Sequence, residues 1–195
     1  NNDESAIITK KIAGYADSSP DSVAIYFDDK EITYRELING ANQYSHWFLD
    51  NGLQKGDVVA LLMENRPEFL MAWIGIAQVG GTTALINTNL TGHPLNHSLS
   101  ISGASKVILG EELLENFQTT NDFIKSSFQV WIEGGNNNSE YNNLNESLKK
   151  LGITMPNIDY DVTNQDVALY IYTSGTTGDP KAATITHRRL RLMLM

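Results

Sequence analysis

The residues 170 to 181, Tyr-Ile-Tyr-Thr-Ser-Gly-Thr-Thr-Gly-Asp-Pro-Lys, carry the densest reactive chemistry in the chain. Thr173, Ser174, Thr176 and Thr177 supply hydroxyl donors, Gly175 and Gly178 admit positive φ, and Lys181 supplies a charge. Consecutive backbone N–H groups in such a turn can point at one centre and form an anion-binding nest. An oligophosphate matches that set. An ordinary turn is the competing explanation, because Thr, Ser, Gly and Pro also dominate loops of no special role. Four hydroxyls, two glycines and a terminal lysine within nine positions exceed what a turn needs. The segment is not a Walker loop: Lys181 lies three positions past Gly178, and Ala182 stands where the magnesium-binding hydroxyl would be.

A loop of this kind needs a rigid platform. Val167 to Tyr172 is an apolar, β-prone run that predicts a central strand, with Pro180 barring ladder pairing and Lys181 to Thr186 returning as a hairpin partner. Upstream, Asp57–Met63 reads as a strand buried on both faces, Pro67 opens a helix through Ala77, and Thr82 to Ile86 reads as a strand. A helix over Pro94–Ser102 and a strand over Lys106–Leu109 repeat the pattern, so the sheet is expected to be at least partly parallel. Glu4 to Ser18 has helical spacing, residues 23–27 and 31–33 read as a β-hairpin, and Thr33-Tyr-Arg-Glu36 is a capping box for a helix lined by Leu37, Ala41, Tyr44 and Phe48. On that helix, Arg35, Asn39, Asn42 and His46 read as the solvated face. Short helices are expected over 111–125, a strand over 128–132, a weak helix over 141–151 and an irregular linker over 152–163. Asn87-Thr-Asn-Leu90 reads as a capping turn before the Pro94 helix, with ligand contact as the lesser alternative. His93 and His97 have zinc-compatible spacing but no third ligand nearby, so no metal site is assigned.

Composition narrows the classes. With 23 acidic against 14 basic residues the net charge is -9, which argues against a nucleic-acid partner. No cysteine is present, so disulfides and thiolate metal sites are excluded. The acidic opening Asn1-Asn-Asp-Glu4 is unlike a secretory signal. Residues 69–86 lack charge, but Gln78, Gly80 and Gly81 divide them into a buried helix and a strand rather than a membrane span.

The segment YTSGTTGDPK resembles the phosphate-binding signature of the acyl-adenylate-forming (AMP-binding) enzymes, and Thr33-Tyr-Arg-Glu-Leu37 resembles the start of their large domain. Within that superfamily, Ala182-Ala183 and Ala84-Leu-Ile-Asn-Thr-Asn-Leu90 are similar to the fatty acid transport protein and very-long-chain acyl-CoA synthetase branch. The resemblance implies an α/β fold, with a mixed, mostly parallel sheet flanked by helices. It also implies that the 195 residues form the N-terminal portion of the large domain, the remainder and a small mobile domain lying outside them. The implied activity converts a long- or very-long-chain fatty acid to acyl-CoA through acyl-AMP, using ATP with Mg2+ and CoA. The implied setting is a peripheral one on the cytosolic side of an intracellular membrane, coupled to fatty acid uptake. The implied cofactor-binding set is Tyr172, Thr173, Ser174, Gly175, Thr176, Thr177, Gly178, Asp179, Pro180 and Lys181, with no catalytic residue identifiable. Asp179 departs from the signature, since an acid beside triphosphate costs affinity unless it points outward. Activation of another carboxylic acid, or a non-catalytic binding or transport role for the 195 residues alone, are the alternatives. The apolar ending Leu192-Met-Leu-Met195 resembles a cut end.

Overall fold

The computed structural model describes residues 7–135, 141–174 and 180–193, the side chains of 173, 174 and 180 excepted. A helix α1 (Ile8–Ser18) and a hairpin of β1 (Val23–Phe27) and β2 (Lys30–Thr33) precede the main sheet. Asp28 turns the hairpin at φ 51°, a left-handed conformation that Asp tolerates better than most residues. The helix α2 (Tyr34–Asp50) starts on the expected capping box: Glu36 N donates to Thr33 Oγ1 at 3.2 Å, and Thr33 N donates back to Glu36 Oε2 at 2.8 Å.

The sheet that follows alternates with helices. Its strands are β3 (Val58–Leu62), β4 (Thr82–Leu85), β5 (Lys106–Gly110), β6 (Gln129–Glu133), β7 (Asn142–Asn143), β8 (Val167–Ser174) and β9 (Pro180–Thr186). The helices are α3 (Pro67–Gln78), α4 (Gly92–Ser100), α5 (Leu114–Gln118), α6 (Asp122–Ser127), α7 (Asn145–Leu148) and α8 (His187–Met193). The spatial order is β7-β6-β5-β3-β4-β8-β9, parallel throughout except for the β8–β9 pair. The expected α/β sheet is therefore present. One strand was not legible: residues 141–151 form β7 and the single turn α7 rather than a helix, because Asn142 and Asn143 pair with Trp131 and Ile132 at the sheet edge.

Strand β3 shows how the sequence builds two cores. Val59 and Leu61 point to the face covered by α2 and α3, where Tyr44, Trp47, Phe48 and Ile76 lie. Ala60 and Leu62 point to the opposite face, covered by Leu95, Leu99 and Phe117 of α4 and α5. The period of two sends alternate side chains to opposite faces, and a continuous apolar run is what a strand covered on both faces requires. Gly75 lets α3 lie against α2, since a Cβ there would sit 2.6 Å from Tyr44 Cβ and 2.7 Å from Ala41 O.

The polar face expected for α2 is solvated at Arg35 but covered at Asn42 and His46. Residues 151–162 cross it as an irregular strap, anchored by Leu151 and Ile158 on the first core. Asn42 Nδ2 donates to Ile153 O at 2.8 Å, and His46 Nε2 lies 2.9 Å from Thr154 O. Asn42 is only 4% exposed as a result. Polarity on α2 encoded attachment of a chain segment that helical periodicity cannot foresee.

The chain reverses its direction of travel across the sheet between β3 and β5, the position where open α/β sheets usually leave a binding crevice. Here that crevice holds an ion cluster. Arg66 Nη1 lies 3.1 Å from Glu68 Oε2, and its Nη2 reaches Glu133 O at 3.0 Å, Glu112 Oε2 at 3.5 Å and the Glu133 carboxylate. Burial raises the pKa of the Glu133 carboxyl while Arg66 pulls it down, so its ionised form depends on that guanidinium. Replacing Arg66 with Met should destabilise the fold by about 3–5 kcal/mol, because a buried carboxylate loses its counter-charge. Adding Glu133→Leu to that variant should restore most of the loss. Urea midpoints of the wild type and both variants check this, and an unchanged midpoint for Arg66→Met would remove the cluster from the stability account.

Candidate functional site

The hairpin of β8 and β9 presents the glycine-rich segment. Its register pairs Tyr172 with Ala182, Thr173 with Lys181 and Ser174 with Pro180. The strands therefore run further than the apolar pattern indicated, and the connection narrows to residues 175–179. Pro180 is no barrier to pairing, because it is the first residue of an edge strand and its missing N–H costs no interior ladder bond. Gly175, Thr176, Thr177, Gly178 and Asp179 lie outside the described residues, as do the side chains of Thr173, Ser174 and Pro180. Lys181 is exposed directly across the ladder from Thr173, at the base of the connection.

Strand β8 is held in place from both ends. Its parallel pairing with β4 sets Thr83 opposite Leu169 and Leu85 opposite Ile171, and Thr82 Oγ1 donates to Val167 O at 2.9 Å. Immediately before β8, Asp166 receives Lys55 Nζ at 2.8 Å and Thr163 N at 2.7 Å. Burial opposes the charge on Asp166, but these donors hold its pKa below the usual carboxylate value. Lys55 also donates to Asp161 O at 2.6 Å, tying the strap to the same anchor.

At the upper edge of the sheet, the turn 87–90 stands at the end of β4, beside the end of β8. Asn89 N donates to Asn87 Oδ1 at 2.9 Å, and Leu90 N donates to Asn87 O at 3.2 Å. The turn does not cap α4: Thr91 is the residue before Gly92, and it makes no side-chain cap bond. Its anchors come from elsewhere, with Asn116 Nδ2 donating to Thr88 O at 2.9 Å and Thr119 Oγ1 accepting from Gly92 N at 2.6 Å. These contacts fix a polar turn beside the candidate loop. No sequence pattern announced the role of Asn116 and Thr119, which lie 28 and 27 residues from their partners.

Tyr170 and Tyr172 pack toward the α4 and α5 face. The Tyr172 hydroxyl is buried with no hydrogen-bond partner among the described residues, and burial, with Tyr170 adding, pushes its pKa up to about 12. It is thus a neutral donor adjoining the connection. At the other end of the hairpin, His187 follows β9 and is fully buried, its two ring nitrogens unpartnered among the described residues. Burial lowers its pKa to about 4, against the opposing pull of Asp166. The backbone N–H of His187 donates to Asp166 O at 3.1 Å, so this neutral imidazole plugs the foot of the hairpin. Among the described residues no three His, Cys, Asp or Glu side chains are grouped to hold a metal ion.

Residues 13–194 match the family model described as AMP-binding enzyme. The chain belongs to the AMP-binding enzyme family. It is 30% identical over 186 residues to long-chain fatty acid transport protein 6 of Mus musculus, covering 94% of this chain and 30% of that one. To long-chain fatty acid transport protein 2 of Rattus norvegicus it is 34% identical over 181 residues, 90% of this chain and 29% of the other. The chain thus spans under a third of the length of these curated relatives. Among solved structures it resembles the fatty acyl CoA synthetase of Mycobacterium tuberculosis, with a TM-score of 0.80 at 27% identity over 95% of this chain and 35% of that one. The N-terminal domain of FACL13 from the same organism aligns with a TM-score of 0.76 at 30% identity, covering 92% of this chain and 44% of that domain's chain. The family and its acyl-CoA ligase fold agree with what the signature residues implied.

The burial of His187 carries a pH consequence. Its folded pKa lies below its unfolded value, so the unfolded state binds more protons, and stability falls as pH drops from about 6.5 toward 4. Relative to His187→Leu, the wild type should lose about 3 kcal/mol across that window and nothing further below it. Denaturation of both proteins at several pH values reads this directly. Parallel pH profiles would show that His187 is not held neutral.

Proposed function

We propose that the chain supplies the triphosphate-gripping wall of an enzyme that activates a long- or very-long-chain fatty acid. A fatty acid carboxylate oxygen attacks the α-phosphorus of ATP, forming the acyl–phosphate bond of acyl-AMP while the bond to the leaving pyrophosphate breaks. CoA thiol then attacks the acyl carbon, a thioester forms, and AMP departs. The observation that carries this reading is the hairpin register, which sets exposed Lys181 across from Thr173 at the foot of a five-residue connection containing two glycines and two threonines.

In this reading the β- and γ-phosphates lie against the connection. The hydroxyls of Thr173, Ser174, Thr176 and Thr177 donate to them, Gly175 and Gly178 permit close backbone approach, and Lys181 offsets charge that grows on pyrophosphate as it leaves. Donors fixed before the reaction stabilise developing charge without reorganising, which is the main lever in phosphoryl chemistry. Tyr172, its hydroxyl neutral at any working pH, supports the strand end. Asp179 fits only if its carboxylate turns away from the nucleotide. Mg2+ bound with ATP would supply charge neutralisation there; no described residue is assigned to it. The long-chain preference, coupling to uptake and a peripheral place on the cytosolic side of an intracellular membrane draw support from relatives named as fatty acid transport proteins. Among the described residues no helix is long and apolar enough to cross a membrane.

In a version that carries the rest of the enzyme, Lys181→Ala should lower fatty-acid-dependent ATP–pyrophosphate exchange by about 10²- to 10³-fold, the usual cost of removing one transition-state donor. Residues 1–195 alone should form no acyl-AMP. Exchange kinetics untouched by Lys181→Ala would remove the lysine from the reaction, and exchange by the 195 residues alone would overturn their assignment as one wall of the site.

A further inference from the structure

Between Ile153 and Val162 the strap is held by side chains rather than by a backbone ladder. Among the described residues no backbone N–H from 153 to 162 donates to another protein group. The attachments are those of Asn42, His46 and Lys55 to the carbonyls of Ile153, Thr154 and Asp161, the Tyr160 hydroxyl donating to Val79 O at 2.9 Å, and Ile158 packed on the first core. Ile153 and Met155 remain exposed. A segment with no ladder of its own and few buried apolar contacts opens at a lower free energy than the sheet beneath it. The strap is therefore a unit that can leave α2 while the sheet stays folded.

One of its anchors also holds something else. The Lys55 ammonium donates to Asp161 O at 2.6 Å and lies 2.8 Å from Asp166 Oδ2. Asp166 closes the open end of the β8–β9 hairpin: its carboxylate accepts Thr163 N at 2.7 Å and its main-chain O accepts His187 N at 3.1 Å, while Asn164 O accepts Arg188 N at 2.9 Å. Lys55 belongs to neither unit. It stands on a turn fixed by Gln54 N donating to Asp57 Oδ2 at 2.8 Å and by Gly56 N donating to Gly80 O at 2.8 Å. Its stem passes over Gly80, where a Cβ would come within 3.0 Å of Lys55 Cγ. We propose that Lys55 is a latch that makes undocking of the strap from α2 and opening of the hairpin foot one cooperative event. When Asp161 leaves, the ammonium loses the acceptor that aims it, and water competes for the remaining, partly exposed ion pair with Asp166. The strap thereby controls the order of β8 and β9 from the end opposite the glycine-rich connection. This coupling is independent of what that connection binds.

Native-state hydrogen exchange in the 195-residue chain reads the coupling. Ile158→Ala removes the strap's apolar anchor and touches no residue of the hairpin foot. It should speed exchange of the His187 and Arg188 amides about tenfold, one decade corresponding to 1.4 kcal/mol, while amides of the central strand β5 keep their rates. Lys55→Met retains the stem and removes the ammonium. It should speed the same two amides by itself, and adding Ile158→Ala should leave them at the Lys55→Met rate. The proposal is overturned by foot amides that ignore either single substitution, by equal acceleration from Ile158→Ala with and without the ammonium, or by acceleration that extends to β5.

Discussion

The parallel pairing of β8 with β4 is the contact on which the candidate site depends. It joins residues more than eighty positions apart, Thr83 to Leu169 and Leu85 to Ile171, and so incurs a large loop-closure entropy before any hydrogen bond forms. What offsets that cost is distributed along the intervening chain. The α4 to β6 segment buries Leu95, Leu99, Phe117 and Val130 against one face, and the strap is pinned to α2 on the other. Lys55 then delivers the chain to β8 by holding both Asp161 and Asp166. The hairpin is consequently presented at the carboxyl edge of the sheet.

The same arrangement separates two jobs that other open sheets combine. At the crossing between β3 and β5, the natural crevice is occupied by Arg66 and its three carboxylates, which spend that position on cohesion. The candidate site lies instead on the far side of β4, where the polar turn 87–90, Tyr172 and Lys181 stand near one edge. Buried polar groups mark both places, but differently. Arg66 is ion-paired with Glu68, Glu112 and Glu133, whereas the buried Tyr172 hydroxyl has no hydrogen-bond partner among the described residues.

Much of this was legible in the residues. Continuous apolar runs such as Val58–Leu62 announce strands covered on both faces, and the Thr33–Glu36 capping box marked the start of α2 to the residue. The family signature over residues 170–181 was readable because glycines, hydroxyls and lysine cluster locally. What could not be read was non-local. The pair Asn142–Asn143 has no strand propensity and is a strand only because β6 offers an edge. Asn42 and His46 look like a wet helix face until the strap, over a hundred residues later, covers them. Asn116 and Thr119 acquire their role only through a turn on another element, and His187 becomes a neutral plug only once β9 is paired.

The central claim is that the connection between β8 and β9 grips polyphosphate. Isothermal titration of inorganic pyrophosphate into the 195-residue chain at low salt addresses it without any need for turnover. The account expects saturable binding that weakens as salt rises and falls at least about tenfold in Lys181→Ala, as loss of a charge-assisted contact requires. Absence of binding, or equal affinity in wild type and Lys181→Ala, would contradict it.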